Sequence, residues 1–191
     1  MRLDEVQQHF GDRVHIDWKS FLLRVEPKTT NHDDFVAYTR SWLNPAEQEP
    51  RTNFTLWDSD EGQPPSSVPA QVAHKAVTAF EPERSMDYHH ALLKAYFTDN
   101  RNIGEPENLL DVAAEIGIDR EQLESLIIER QDDFAHQVSV EHNAALQLQV
   151  HAVPTVILDG GFAIPGAQPA ETYIRLVERI EEKRGGPPTT Q

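Results

Sequence analysis

The chain has 191 residues, with 32 Asp and Glu against 17 Lys and Arg, a formal net charge of −15. Such a field repels phosphate backbones and anionic lipid surfaces, so no nucleic-acid or membrane partner is expected, and no run approaches the roughly 18 apolar residues of a membrane span. With no cysteine, disulfides, thiolate metal sites and cysteine nucleophiles are excluded among these residues. The first predicted element is a short helix on Leu3, Val6 and Phe10, closed by Gly11-Asp12. Its polar, charged sequence lacks the apolar core of a secretory signal, which predicts a cytoplasmic protein. Val14, Ile16 and Trp18 then alternate with His15, Asp17 and Lys19, the period of a half-buried strand.

The stretch from Arg24 to Leu148 reads as a linker followed by a helical block. It opens irregularly, with Trp42, Phe54 and Trp57 among Pro and Asn, and Glu61 to Ser67 is a loop signal. Trp42, Phe54 and Trp57 either cover a core or line an apolar groove, and core is the commoner role. One apolar stripe is Val72, Ala73, Ala76, Val77 and Phe80; a second is Met86, Leu92, Leu93, Tyr96 and Phe97. Pro106 opens a helix faced by Leu109, Leu110, Val112, Ala113 and Ile116, and Gly117 stops it. Asp119 with Gln122 predicts a capping box before Leu123, Leu126 and Ile127. A longer helix is expected over Asp132 to Leu148, with Phe134, Val138, Ala145 and Leu148 inward. The acidic excess between Asp99 and His142 fits the wet faces of these helices.

β-structure returns at Val153 to Leu158, and Asp159-Gly160-Gly161 signals a hairpin to Phe162-Ala163-Ile164. Gly166-Ala167-Gln168-Pro169 opens a last helix carrying Tyr173, Leu176, Val177 and Ile180, and residues 185–191 read as a flexible polar tail. Helix, strand, helical block, hairpin, helix is half of a thioredoxin-like order. The fold class is therefore α/β, with residues 1–23 and 149–184 as the thioredoxin-like part and 24–148 as linker plus inserted helical domain.

Four blocks, Phe21-Leu22-Leu23-Arg24, Pro65-Ser66-Ser67-Val68-Pro69-Ala70, Ala95-Tyr96-Phe97-Thr98 and Ala152-Val153-Pro154-Thr155, come in an order that resembles the DsbA family of thioredoxin-fold oxidoreductases. With Phe162 to Gln168, the last block looks most like the FrnE-like branch, related to the 2-hydroxychromene-2-carboxylate isomerases. Family members carry a central strand and a Cys-x-x-Cys motif before and at the start of the first helix. Here Met1 falls inside the matching helix, and neither strand nor cysteines are present. The resemblance thus implies a thiol–disulfide oxidoreductase domain that is redox-inactive as it stands, since exchange needs an attacking thiolate. The dithiol is expected upstream of Met1. Its partners would be thiol- or disulfide-containing proteins or small molecules.

By the same resemblance Val153, Pro154 and Thr155 bind substrate, with the 153–154 bond cis and the backbone of Val153 pairing with an extended substrate. Read from the residues alone, Pro154 simply begins an edge strand in trans. Two other functions stay open: a glutathione-dependent isomerase, with glutathione its cofactor where the leading reading needs none, and a non-catalytic peptide-binding module. No metal site is expected: His89 and His90 diverge on a helix, and His142 lies off the face shared by Asp132 and His136. Without the central strand, the strand at Val14–Ser20 and that at Val153–Leu158 should share no regular ladder. A strand-wide gap would then leave the chain poorly stable or self-associating through the exposed edge.

Overall fold

The structure, a computed structural model, describes residues 2–49 and 51–185. It divides into two compact units, one built from residues up to Lys19 and from Asn143 on, the other from Ser20–His142. The sequence sets these divisions later, after Leu23 and after Leu148. The difference has a local cause. The backbone amides of Ser20 and Leu22 donate to Glu141 Oε2 (2.6 Å) and His142 Nδ1 (3.2 Å), which ties residues 20–22 to the helical unit.

In the first unit, α1 (Arg2–Phe10) presents Val6 and Phe10 inward and gives way to a 3-10 turn over Gly11–Arg13. The hairpin joins β1 (Thr155–Leu158) to β2 (Phe162–Pro165), antiparallel, with Val156 opposite Ile164 and Leu158 opposite Phe162. Its loop needs positive φ at consecutive residues, which Asp159 (+54°) and Gly160 (+69°) supply. The last helix, α8 (Ala170–Lys183), follows Pro169. Val6, Phe10, Ala170 and Tyr173 form a small buried core with Val14, Val156, Ile164 and Val177 against it, and Arg13 pairs with both oxygens of Glu181.

The strand expected at Val14–Ser20 is not formed. Val14 is extended (φ −124°, ψ 130°), and Val14 and Ile16 keep their half-buried alternation with His15 and Asp17. A side-chain period does not make a strand without a neighbour for its backbone groups, and among the described residues the sheet consists of β1 and β2 alone. No ladder joins residues 14–20 to β1.

The second unit is helical. Two helices that show no long apolar period, α2 (His32–Thr39) and α3 (Leu43–Gln48), precede the stripes read from sequence; Asn31 caps α2 by accepting from the amides of Asp33 and Asp34. Then come α4 (Val68–Phe80), α5 (Ser85–Phe97), α6 (Pro106–Glu115) and α7 (Arg120–Gln147). Helix α7 merges the two helices expected around Leu123 and over Asp132–Leu148; Arg130, with non-helical angles (φ −122°, ψ 23°), marks the kink between them. Asp119 accepts from the Gln122 amide, but the Gln122 side chain returns to the Asp119 carboxylate, so the box closes side chain to side chain.

Most expected core positions are buried: Val72, Ala73, Ala76, Val77, Leu92, Leu109, Leu110, Val112, Ala113, Leu123, Phe134 and Val138 form one cluster. Two are not. Leu93 is 43% exposed, because the inward line of α5 runs through Tyr88, Leu92 and Ala95 and Leu93 sits about 100° away. Leu148 is 46% exposed, because α7 ends at Gln147 and the chain turns at Gln149 (φ +59°). Trp42 and Trp57 pack with Phe35 into a second core, with Phe54, Tyr96 and Phe97 against it, so these aromatics cover a core and line no groove. The tail expected at 185–191 lies outside the described residues from 186 on.

Candidate functional site

Val153, Pro154 and Thr155 lead into β1, and the fold pins this corner from one side. The buried Val150 ends the turn after α7, its amide donating to the Ala145 carbonyl (3.0 Å). The Thr155 hydroxyl donates to the Ala152 carbonyl (2.7 Å), closing a small loop around the cis Val153–Pro154 bond. The Pro154 carbonyl accepts from the Gly166 amide (2.9 Å).

Gly166–Gln168 is itself held tightly. The Tyr173 hydroxyl donates to the Gly166 carbonyl (3.1 Å) and accepts from the Gln168 amide (3.2 Å). The Gln168 side chain donates to the Pro165 carbonyl (3.0 Å), and Arg2 reaches the Ala167 carbonyl (2.7 Å). This bracket is what the Gly-Ala-Gln sequence builds. Tyr173 and Arg2 are its hidden parts: Tyr173 reads from sequence only as a core residue of α8, and Arg2 only as a surface charge.

The contact between Gly166 and Pro154 fixes the phase of the hairpin. Bonds alternate along an antiparallel pair, so the backbone groups of Val156 and Leu158 face β2, and those of Thr155 and Ile157 face away. Val153 lies outside this pair, in the bend 152–154 that leads into β1. It is 44% exposed, and its amide and carbonyl have no hydrogen-bond partner among the described residues. The corner therefore offers a backbone donor and an acceptor beside a braced proline. What it can do chemically is pair with another backbone segment; it holds no nucleophile and no acid–base pair.

The remaining sequence candidates do not converge here. Asp132 and His136 stand exposed on α7, and His89 lies against His90 and His74 at ring separations of 5.7 Å. Among the described residues no three His, Asp or Glu side chains come together in a way that could hold a metal. Among the groups whose titration the fold moves, His74, Tyr88, Tyr96 and Glu141 all belong to the helical unit. Burial, with Lys75 adding to it, lowers the His74 pKa. Burial also raises Tyr88, and pushes Tyr96 up to about 12. Burial works against ionisation of Glu141, but Lys75 and the Ser20 amide outweigh it and hold the carboxyl below its ordinary value.

Residues 1–178 match the DSBA-like thioredoxin domain family. The chain is 26% identical over 182 residues to the uncharacterized protein YwbO of Bacillus subtilis, covering 91% of this chain and 86% of that one. A putative protein disulfide isomerase from Nitrosomonas europaea superposes with a TM-score of 0.76 at 15% identity, covering 97% of this chain and 90% of that one. The cytosolic disulfide reductase DsbM from Pseudomonas aeruginosa gives 0.72 at 14%, covering 95% and 91%. A probable DsbA oxidoreductase from Streptomyces coelicolor gives 0.68 at 20%, covering 100% and 85%. At these identities the solved structures speak for the fold. No helix among the described residues is long and apolar enough to cross a membrane.

Proposed function

The chain belongs to the DSBA-like thioredoxin domain family, and from that premise we propose that it serves thiol–disulfide exchange by holding an extended substrate segment against Val153. The observation that carries this reading is the exposed, unpartnered backbone of Val153 beside a corner braced through Pro154, Gly166 and Tyr173. A substrate strand laid there gains main-chain hydrogen bonds without needing a particular side chain, which suits varied thiol- or disulfide-bearing segments. The exchange itself requires a thiolate. These 191 residues hold no cysteine, so the thiols come from the substrate, a partner or residues outside this sequence. A cytosolic setting and kinship with the FrnE-like branch belong to the same reading, supported by the cytosolic reductase DsbM among the structural neighbours.

The test uses a fluorescein-labelled ten-residue peptide whose one cysteine is a mixed disulfide with glutathione. The expected result is saturable binding that Val153→Ala leaves nearly intact. Val153→Pro, which removes the amide donor, should weaken it roughly tenfold, the worth of about one hydrogen bond. Equal binding by the Val153→Pro variant, or no binding by the wild type, defeats the reading. Insulin reduction by dithiothreitol should run no faster with the protein added than without it.

A further inference from the structure

The chain passes from the first unit to the helical unit after Lys19 and back after His142, and these two crossings are fastened at the same place. The amide of Ser20 donates to Glu141 Oε2 (2.6 Å), and the amide of Leu22 donates to His142 Nδ1 (3.2 Å). The Phe21 ring meets the His142 ring edge-on at 5.0 Å between centroids. Ser20 and Leu22 are both buried. Two residues further on, the strap is anchored again by different chemistry. The Arg24 amide donates to the Ser67 hydroxyl (3.1 Å), and the Arg24 carbonyl accepts from the Ser67 amide (3.1 Å) and the Ser66 hydroxyl (3.2 Å).

We propose that Glu141 and His142 form a latch on the strap Ser20–Leu22, and that protonation of His142 opens its Leu22 half. The ring nitrogen that accepts from Leu22 must carry a lone pair, so the closed latch requires the neutral imidazole with its proton on Nε2. An imidazolium has two donors and no acceptor; faced with the Leu22 amide it sets donor against donor and the bond is lost. Of the charged and titratable groups tied to this latch, Glu141 is on the same helix, and it pairs with Lys75 on α4, beside His74. Glu141 stays ionised well into acid because Lys75 and the Ser20 amide favour its charged form, so the Ser20 half keeps its acceptor when the Leu22 half has lost its own. The Ser66–Ser67 anchor contains no group that titrates in this range. Acid therefore slackens one amide among three on this strap of the helical unit.

The experiment follows the three amides of Ser20, Leu22 and Arg24 by hydrogen exchange in the full-length protein at pH 8 and pH 5, as protection factors, a span over which imidazoles pass from neutral to charged. Leu22 should lose protection by roughly tenfold at pH 5, the equivalent of one modest hydrogen bond, while Ser20 and Arg24 change little. His142→Asn places an amide oxygen that does not titrate near the position of Nδ1, and Leu22 should then be equally protected at both pH values. Unchanged Leu22 protection in the wild type overturns the proposal. So does a fall at pH 5 that persists in His142→Asn, which would assign the effect to His74 or to general loosening. Where the variant folds poorly, a fall that Ser20 and Arg24 share with Leu22 in the wild type overturns the proposal as well, and none of these amides belongs to the Val153 corner.

Discussion

Lys75 and Glu141 face each other at 2.7 Å with only 11% and 19% of their side chains exposed. Glu141 also accepts from the Ser20 amide, so its carboxylate is satisfied from two sides, as a charge so placed has to be. Lys75→Met removes the cation and leaves the carboxylate to its uncharged partners at Ser20. The expected cost is about 2 kcal/mol, less than for a fully dry pair because both heads keep some water. Urea unfolding at pH 7 measures it. The acid side follows from the direction of the Glu141 shift. Its folded pKa lies below the ordinary 4.5, so the stability it contributes is fully present above that value and is lost as pH falls through the lower, folded one. Glu141→Gln should therefore narrow its deficit against the wild type as pH drops from 5 toward 3, and a deficit that stays constant would refute this.

Helix α6 shows how one residue ends an element. After Glu115, Gly117 takes φ +87°, its amide donates to the Ala114 carbonyl (2.9 Å), and the amide of the buried Ile118 donates to the Ala113 carbonyl (3.0 Å). This paired stop satisfies two carbonyls that a helix end otherwise leaves open, and its apolar contact is Ile118. A Cβ at Gly117 would find room, with Arg84 Nη2 the nearest atom at 3.5 Å. The cost of Gly117→Ala is therefore conformational, about 1 kcal/mol, with no steric clash added. Thermal unfolding should show it, and Gly117→Asn, which tolerates this backbone region better, should recover part of the loss.

At the scale of the whole molecule the two units are unequally built. The helical unit holds a large contiguous core and a separate Trp42–Trp57–Phe35 cluster, while the first unit rests on a cluster of four buried residues and a two-stranded sheet. A lone hairpin is marginal in water and depends on what packs against it, here α1 and α8. Phe10, buried in that small core, is its largest wholly apolar side chain. Phe10→Ala should cost about 3 kcal/mol locally. Hydrogen exchange should then rise in α1, α8 and the hairpin while α4–α6 keep their wild-type rates. A uniform rise across the chain would show that the units unfold as one.

What the sequence by itself determined is whatever depends on neighbours along the chain. The stripes of α4 and α6, the Gly117 stop, the Asp159-Gly160 turn and the zero thiol count are local facts, and the family resemblance drew on such blocks. At the Val153 corner the sequence shows the Val-Pro-Thr step, while the unpartnered backbone of Val153 is visible only in the folded chain. Tertiary structure decided the rest. Val14–Ser20 has a strand's alternation and no strand, because a ladder requires a second backbone that periodicity cannot supply. The three aromatics Trp42, Phe54 and Trp57 became core only through Phe35 and the end of α5. The latch of Ser20 and Leu22 on Glu141 and His142 joins residues some 120 positions apart. A hydrogen bond across that distance leaves no periodic trace in the sequence, since its donors are backbone amides that every residue but proline carries.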